Sequence, residues 1–145
     1  MRLLFVKTLH HLFLWLPLVA FGATPSYPPQ LPDAREYVYK KASGSDLKLW
    51  VFQPQGQAKR KGKPAIVLFF GGGWRSGTPA QFEKQCEYLA SRGMVAVTAD
   101  YRVSSRQKTQ ATACVEDAKS AVRWMRQNSS KLGIDPKKIA VGGGS

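Results

Sequence analysis

The feature that most constrains the fold is Ala65-Ile66-Val67-Leu68-Phe69-Phe70, six apolar residues in a row followed at once by Gly71-Gly72-Gly73-Trp74. An unbroken apolar run of this length, closed by glycine, reads as a strand buried on both faces. Such a strand needs helices above and below it, which argues for a parallel sheet. The pattern recurs at Val95-Ala96-Val97-Thr98-Ala99-Asp100. It recurs again at Ile139-Ala140-Val141, which runs into Gly142-Gly143-Gly144-Ser145.

Two stretches with helical spacing separate these runs. Thr78-Pro79 opens the first, threonine as cap and proline in the first turn. Phe82, Cys86 and Leu89 recur on one side of it, and Gly93 stops it. The second spans Ala111 to Asn128, with Val115, Ala118, Val122 and Met125 on the expected apolar face and Glu116, Lys119 and Arg126 opposite. Upstream, Glu36–Lys40 and Leu47–Phe52 read as an antiparallel strand pair around a turn at Ala42–Asp46. Gln55–Pro64 reads as a solvated basic hairpin loop, Tyr101–Gln110 as irregular, and Asp135-Pro136 as a turn before the last strand.

An antiparallel pair followed by strand–helix–strand–helix–strand predicts an α/β fold: a doubly wound, mostly parallel sheet. Ala65–Phe70 is expected to lie between Val95–Asp100, on the side of the N-terminal pair, and Ile139–Gly142. The two crossovers then step in opposite directions, so their helices cover opposite faces. Cys86 and Cys114 would sit beyond the roughly 7 Å Cα reach of a disulfide. Two free, largely buried thiols are predicted.

The N-terminus carries a targeting pattern. Basic residues come early, then the apolar run Leu12–Phe21, with small residues at Ala20 and Gly22 as a signal peptidase requires. The run is short for a bilayer span, which needs about 20 residues, and Pro17 interrupts it; an uncleaved anchor is the alternative. The expected organisation is a secretory signal over 1–22, a Pro-rich extended leader over 23–35, and the α/β unit over 36–145. This predicts a secreted or periplasmic protein with no stable membrane anchor after cleavage. The formal net charge of +13 raises nucleic acid as a partner. Outside Lys59-Arg60-Lys61-Gly62-Lys63, however, the basic residues are scattered rather than gathered into a face, which argues against it.

Two glycine clusters are candidates for chemistry. Gly-x-Ser at Gly143-Gly144-Ser145 is the first half of a Gly-x-Ser-x-Gly nucleophile elbow, in which a sharp turn after a strand exposes a serine hydroxyl. The same residues suit a flexible tail. Gly71-Gly72-Gly73 after a buried strand can turn backbone N–H groups toward one point, as an oxyanion hole requires. It also suits an ordinary loop. Neither Gly-x-Gly-x-x-Gly nor Gly-Lys-Ser/Thr spacing is present to support nucleotide binding.

Taken together, the motifs resemble those of α/β-hydrolases of the esterase/lipase group related to hormone-sensitive lipase and bacterial acetyl esterases. Phe70-Gly71-Gly72-Gly73-Trp74 is similar to the His-Gly-Gly-Gly oxyanion motif. Asp100-Tyr101-Arg102, Val115-Glu116-Asp117-Ala118 with Val122-Arg123-Trp124, Gly133-Ile134-Asp135-Pro136 and Ile139–Ser145 follow in the family's order. The likeness covers Val38 to Ser145. It implies an α/β-hydrolase sheet cut at the nucleophile elbow, with Ser145 as catalytic nucleophile and Gly72 and Gly73 as oxyanion-hole donors. Trp74 would line the substrate pocket or brace the loop. The implied substrate is a small-molecule ester, with no cofactor or metal; a sugar-ester deacetylase, a serine peptidase or a non-catalytic relative shares the scaffold. Oligomeric state is not implied.

Two departures stand out. Phe70 replaces the motif histidine. The family's acid and histidine follow the elbow, whereas the histidines here are His10 and His11, inside the expected signal. Residues 23–145 are therefore expected to be inactive alone. Asp100 and Asp117 are read as structural, paired with an arginine or a backbone N–H.

Overall fold

The computed structural model describes residues 26–56 and 61–145. The expected signal, Lys59 and Arg60 of the basic cluster and the first leader residues lie outside them. Five strands form one sheet: β1 (Arg35–Ala42), β2 (Ser45–Phe52), β3 (Lys63–Phe69), β4 (Val95–Ala99) and β5 (Ile134–Gly143). Helix α1 (Glu83–Ser91) precedes β4, and α2 (Ser104–Gln107) is a single short turn of helix within Tyr101–Gln110, the stretch the sequence reads as irregular; α3 (Ala111–Gln127) follows. Their spatial order is β1-β2-β4-β3-β5. The β1–β2 and β2–β4 pairs are antiparallel, whereas β3 runs parallel to both β4 and β5. The α/β class, the antiparallel N-terminal pair and the position of β3 between β4 and β5 are as the sequence implies.

Side-chain alternation splits the core. Leu49 and Val51 face one way, with Ala65, Val67, Val95 and Val97, and pack beneath Ala121 and Met125 of α3 (Ala111–Gln127). Trp50 and Phe52 face the other way, with Leu68 and Ala96, against Cys86 and Ala90 of α1 (Glu83–Ser91). This is the period of two expected of strands covered on both sides. Cys86 and Cys114 are free and buried, each with its own helix on its own face. Burial pushes the Cys86 thiol up to about 12.

Four expectations are corrected. Lys63 is not in a solvated loop: it opens β3, is 2% exposed, and its N–H donates to Gly133 O at 3.1 Å. The connection before it does not join a hairpin, because β4 lies between β2 and β3 in the sheet. The Asp135-Pro136 turn lies within β5, as a bulge. Lys63 pairs with Ile134 and Ala65 with Ile139, so β5 carries three extra residues there. Proline, with no N–H to donate, is tolerated at such a bulge, and Asp135 Oδ1 accepts from Lys137 N–H at 2.9 Å. Thr78 sits at the cap position, but a 3₁₀ turn (Pro79–Phe82) precedes α1 and the Thr78 hydroxyl makes no cap bond. Thr98 Oγ1 instead anchors this turn, donating to Pro79 O at 2.8 Å.

The fourth correction concerns α3. Its buried residues are Cys114, Asp117, Ala121 and Met125, whereas Val115 is 46% exposed. A carboxylate occupies the core face because it is fully paired there. Asp117 accepts from Arg102 Nε at 2.8 Å, Arg102 Nη2 at 2.9 Å, Arg102 N–H at 3.1 Å and Lys40 Nζ at 2.7 Å. Its structural reading holds.

The leader is also more than a linker. Leu31 is 5% exposed and packs with Trp50, Phe52 and Ala90, and Tyr27 reaches Arg106 and Asp100.

Candidate active site

Parallel pairing brings the two glycine clusters together. Leu68 pairs with Gly142 and Phe69 with Gly143, so both strands end side by side. Gly144 N–H then donates to Phe69 O at 3.1 Å, which carries the register past the end of β5. Gly71–Gly73, Trp74, Gly143, Gly144 and Ser145 line one open cavity of about 310 Å³, floored by Phe69, Tyr101, Cys114, Val115 and Ala118. The sequence-predicted residues Ser145, Gly72, Gly73 and Trp74 are therefore assembled in one place.

The loop after β3 has a backbone that few side chains tolerate. Gly72 has φ +135°, and an added Cβ would overlap the Ser76 carbonyl oxygen. Gly72 O accepts from Arg75 N–H at 3.0 Å and from Ser76 N–H at 3.2 Å, closing a tight turn. Trp74 has φ +57°, an uncommon conformation for a large side chain. Its ring is 55% exposed at the cavity mouth, while its carbonyl accepts from Ser104 N–H at 3.0 Å. The side chain thus borders the cavity while the backbone ties the loop to Ser104.

The N–H groups of the loop divide by use. Gly71 N–H donates to Gln81 Oε1 at 2.7 Å. Among the described residues, Gly72 and Gly73 N–H donate to no protein acceptor. Both glycines are exposed, as is Ser145, so two successive N–H groups without a protein acceptor stand open beside the serine, where an anionic oxygen can take the place of water.

The Asp100-Tyr101-Arg102 stretch supports this loop from below. Tyr101 Oη donates to Phe70 O at 2.5 Å, and its ring stacks on Phe70 at 4.1 Å and 12°. Phe70, where the related motif carries histidine, is 2% exposed and holds the loop by that stacking. Arg102 pairs with Asp117, as described above. Asp100 accepts from Tyr27 Oη and from Arg106 Nη2 at 3.3 Å, and its own carbonyl accepts from Tyr39 Oη at 2.7 Å. Burial raises the Asp100 carboxyl against the opposing pull of Tyr27 and Arg106, and burial pushes the Tyr101 hydroxyl up to about 12.

Sequence reading missed Gln81, Arg106 and Tyr27. Gln81 also lies against Gly144, so it touches both glycine clusters. Nothing local marks it; its role comes from the 3₁₀ turn that aims it back at β3.

The fold and this site define the N-terminal part of an α/β-hydrolase of the esterase/lipase type. The chain belongs to the BD-FAE family, whose model matches residues 49–145. An esterase from the planctomycete Thermogutta terrifontis is 55% identical, with TM-score 0.81, over 83% of this chain and 43% of that one. Structures of that enzyme have been solved bound to butyrate and phosphorylated by paraoxon. Among curated proteins, an AB hydrolase superfamily protein of Schizosaccharomyces pombe is 34% identical over 66% of this chain and 28% of its own length. Carboxylesterase NlhH of Mycobacterium tuberculosis is 29% identical over 81% of this chain and 37% of its own length. The chain spans less than half the length of each of these relatives.

Proposed function

We propose that this chain carries the nucleophile and oxyanion loop of an exported serine carboxylester hydrolase that works through an acyl-enzyme. The observation that carries the reading is Ser145 at the end of β5, beside two successive N–H groups, those of Gly72 and Gly73, that have no protein acceptor. In the proposed reaction Ser145 Oγ attacks the ester carbonyl carbon. Its proton passes to a histidine, and the carbonyl oxygen becomes an oxyanion held by Gly72 and Gly73 N–H. Collapse expels the alcohol, which takes that proton, and water then hydrolyses the acyl-enzyme by the same steps in reverse. Trp74 lines the substrate side of the cavity.

The histidine and its acid partner are supplied by sequence beyond Ser145. The short span of this chain against its relatives supports this, and residues 23–145 alone are expected to be inactive. A small-molecule ester with a short acyl group is the favoured substrate, because the Thermogutta esterase accommodates butyrate. Export rests on the apolar run Leu12–Phe21 and on Ala20 and Gly22; N-terminal sequencing of the mature protein at residue 23 or 24 tests it.

The test of the mechanism uses the chain extended through its downstream sequence. Hydrolysis of p-nitrophenyl butyrate is expected, with Ser145→Ala lowering kcat by at least about 10⁴-fold. Paraoxon is expected to add its phosphoryl group to the Ser145 peptide, read by mass spectrometry. Wild-type turnover by Ser145→Ala, or a label on another residue, would overturn the assignment. Profiling against acetylated sugars and peptides separates carboxylester hydrolysis from deacetylation and proteolysis.

A further inference from the structure

Gly71–Trp74 line the cavity, so what holds this loop decides where its N–H groups point. Its far end, Gly77, is held by a side chain. Arg106 Nη1 donates to Gly77 O at 2.7 Å. Gly77 in turn lies directly against the Gly71 carbonyl and the Phe70 ring, with no room for a Cβ. Displacing Gly77 therefore displaces Gly71, and with it the adjoining Gly72 and Gly73.

Arg106 is itself fixed from three directions. Its guanidinium lies 3.9 Å from the Tyr27 ring centroid and 5.9 Å from that of Phe70, and Nη2 donates to Asp100 Oδ1 at 3.3 Å. Tyr27 Oη donates to the other oxygen of the same carboxylate. Tyr27 comes from the segment ahead of β1, whose Leu31 is anchored in the core. A flat guanidinium between aromatic faces, with one N–H on a carboxylate and another on a loop carbonyl, uses geometry that lysine cannot supply. The Arg106 side chain is 21% exposed and Asp100 is 2% exposed, so solvent competes little for these bonds.

We infer that Arg106, braced by Tyr27 of the N-terminal strap, is a positioning residue that holds the Gly71–Gly77 loop in the shape its N–H donors require. The segment before β1 thus acts on catalysis without touching substrate. The inference rests on the oxyanion role proposed above for Gly72 and Gly73, and its test keeps the two apart.

One arm needs no activity. Amide exchange at Arg75, Ser76, Ser104 and Ser105, all bonded within or to the loop, is compared in wild type, Arg106→Met, Arg106→Lys and Tyr27→Ala. Tyr27 is 42% exposed, so Tyr27→Ala is expected to stay folded even if Arg106→Met does not. Exchange about tenfold faster at these four amides, with α1 and β4 amides unchanged, is the expected result for Tyr27→Ala and Arg106→Met. The other arm measures p-nitrophenyl butyrate turnover by the extended enzyme. Arg106→Met is expected to lower kcat about 10- to 100-fold with KM near wild type, as small misplacements of catalytic donors do. Arg106→Lys is expected to recover only part of that loss, and Tyr27→Ala to fall between. Unchanged loop exchange in Tyr27→Ala overturns the inference, as does a wild-type kcat in either Tyr27→Ala or Arg106→Met. If the unmutated extended enzyme shows no esterase activity, the proposed function fails, and the exchange arm alone decides whether Arg106 holds the loop.

Discussion

Gly71 and Ser145 are backbone neighbours: a Cβ built on Gly71 would lie 2.6 Å from the Ser145 carbonyl carbon and 2.8 Å from its oxygen. The first glycine of the loop is thus a space left for the serine's own main chain. Its N–H is spoken for by Gln81, so its contribution is steric rather than as a donor.

Gly71→Ala in the extended enzyme should therefore push the loop and the elbow apart. We expect kcat to fall at least about 100-fold. Gly72→Pro, which removes a proposed donor, should cost a similar factor. Steady-state kinetics beside a melting curve checks both; a Gly71→Ala enzyme with wild-type kcat would show that the contact is freely relieved.

Asp117 is predicted to be a stability determinant with no part in chemistry. Asp117→Ala leaves Arg102, only 12% exposed at its side chain, without its carboxylate. We expect a loss of about 3 to 5 kcal/mol, measured by urea unfolding.

The same residue sets part of the acid response. Burial alone would raise the Asp117 carboxyl, but bonds from Arg102 and Lys40 outweigh it and hold it below the usual carboxylate range. Its folded value lies below the unfolded value of about 3.9, so its contribution is complete above that pH and is lost as pH falls through the folded value. Asp100 runs the opposite way: burial raises it, so protonating it on acidification favours the folded state. Unfolding free energies between pH 7 and pH 3 should drop in wild type and drop less in Asp117→Ala. Equal slopes in the two proteins would assign the acid response elsewhere.

The cysteines offer a test of topology. Thiol titration of native protein should be slow at both Cys86 and Cys114, and two equivalents should react rapidly once urea is added. An intramolecular Cys86–Cys114 bond in folded protein would contradict the placement of α1 and α3 on opposite faces.

Trp74→Ala should leave stability within about 0.5 kcal/mol, since the ring is mostly in solvent. We expect a several-fold rise in KM with kcat little changed, the signature of lost uniform binding. A fall in kcat at constant KM would instead mean that the ring shapes the loop.

Much of the fold was legible in the sequence because three apolar runs and two helical stretches alternate without ambiguity. The unbroken run at Ala65–Phe70 carries its burial on its face, and glycine endings mark where β3 and β5 stop. What escaped was set by partners distant in sequence. Lys63 joins a strand because Gly133 accepts its N–H. Asp117 sits in the core because Arg102 and Lys40 meet it there. Ser145, Gly72, Gly73 and Trp74 could be placed from local pattern, since a strand ending in glycine positions them. Gln81, Arg106 and Tyr27 could not, because each acts across a turn that periodicity does not encode.

The parallel pairing of β3 with β5 has a consequence in time. Phe69 and Gly143 are neighbours in the sheet but some seventy residues apart along the chain, and closing so long a loop is slow beside closing the β1–β2 hairpin. During synthesis the glycine loop leaves the ribosome well before the serine it faces. We expect the hairpin to gain protection first and the Gly144 amide, bonded to Phe69 O, to gain it among the last, as pulsed hydrogen exchange would record. The nucleophile would then meet its oxyanion loop only after the sheet around it has been laid down.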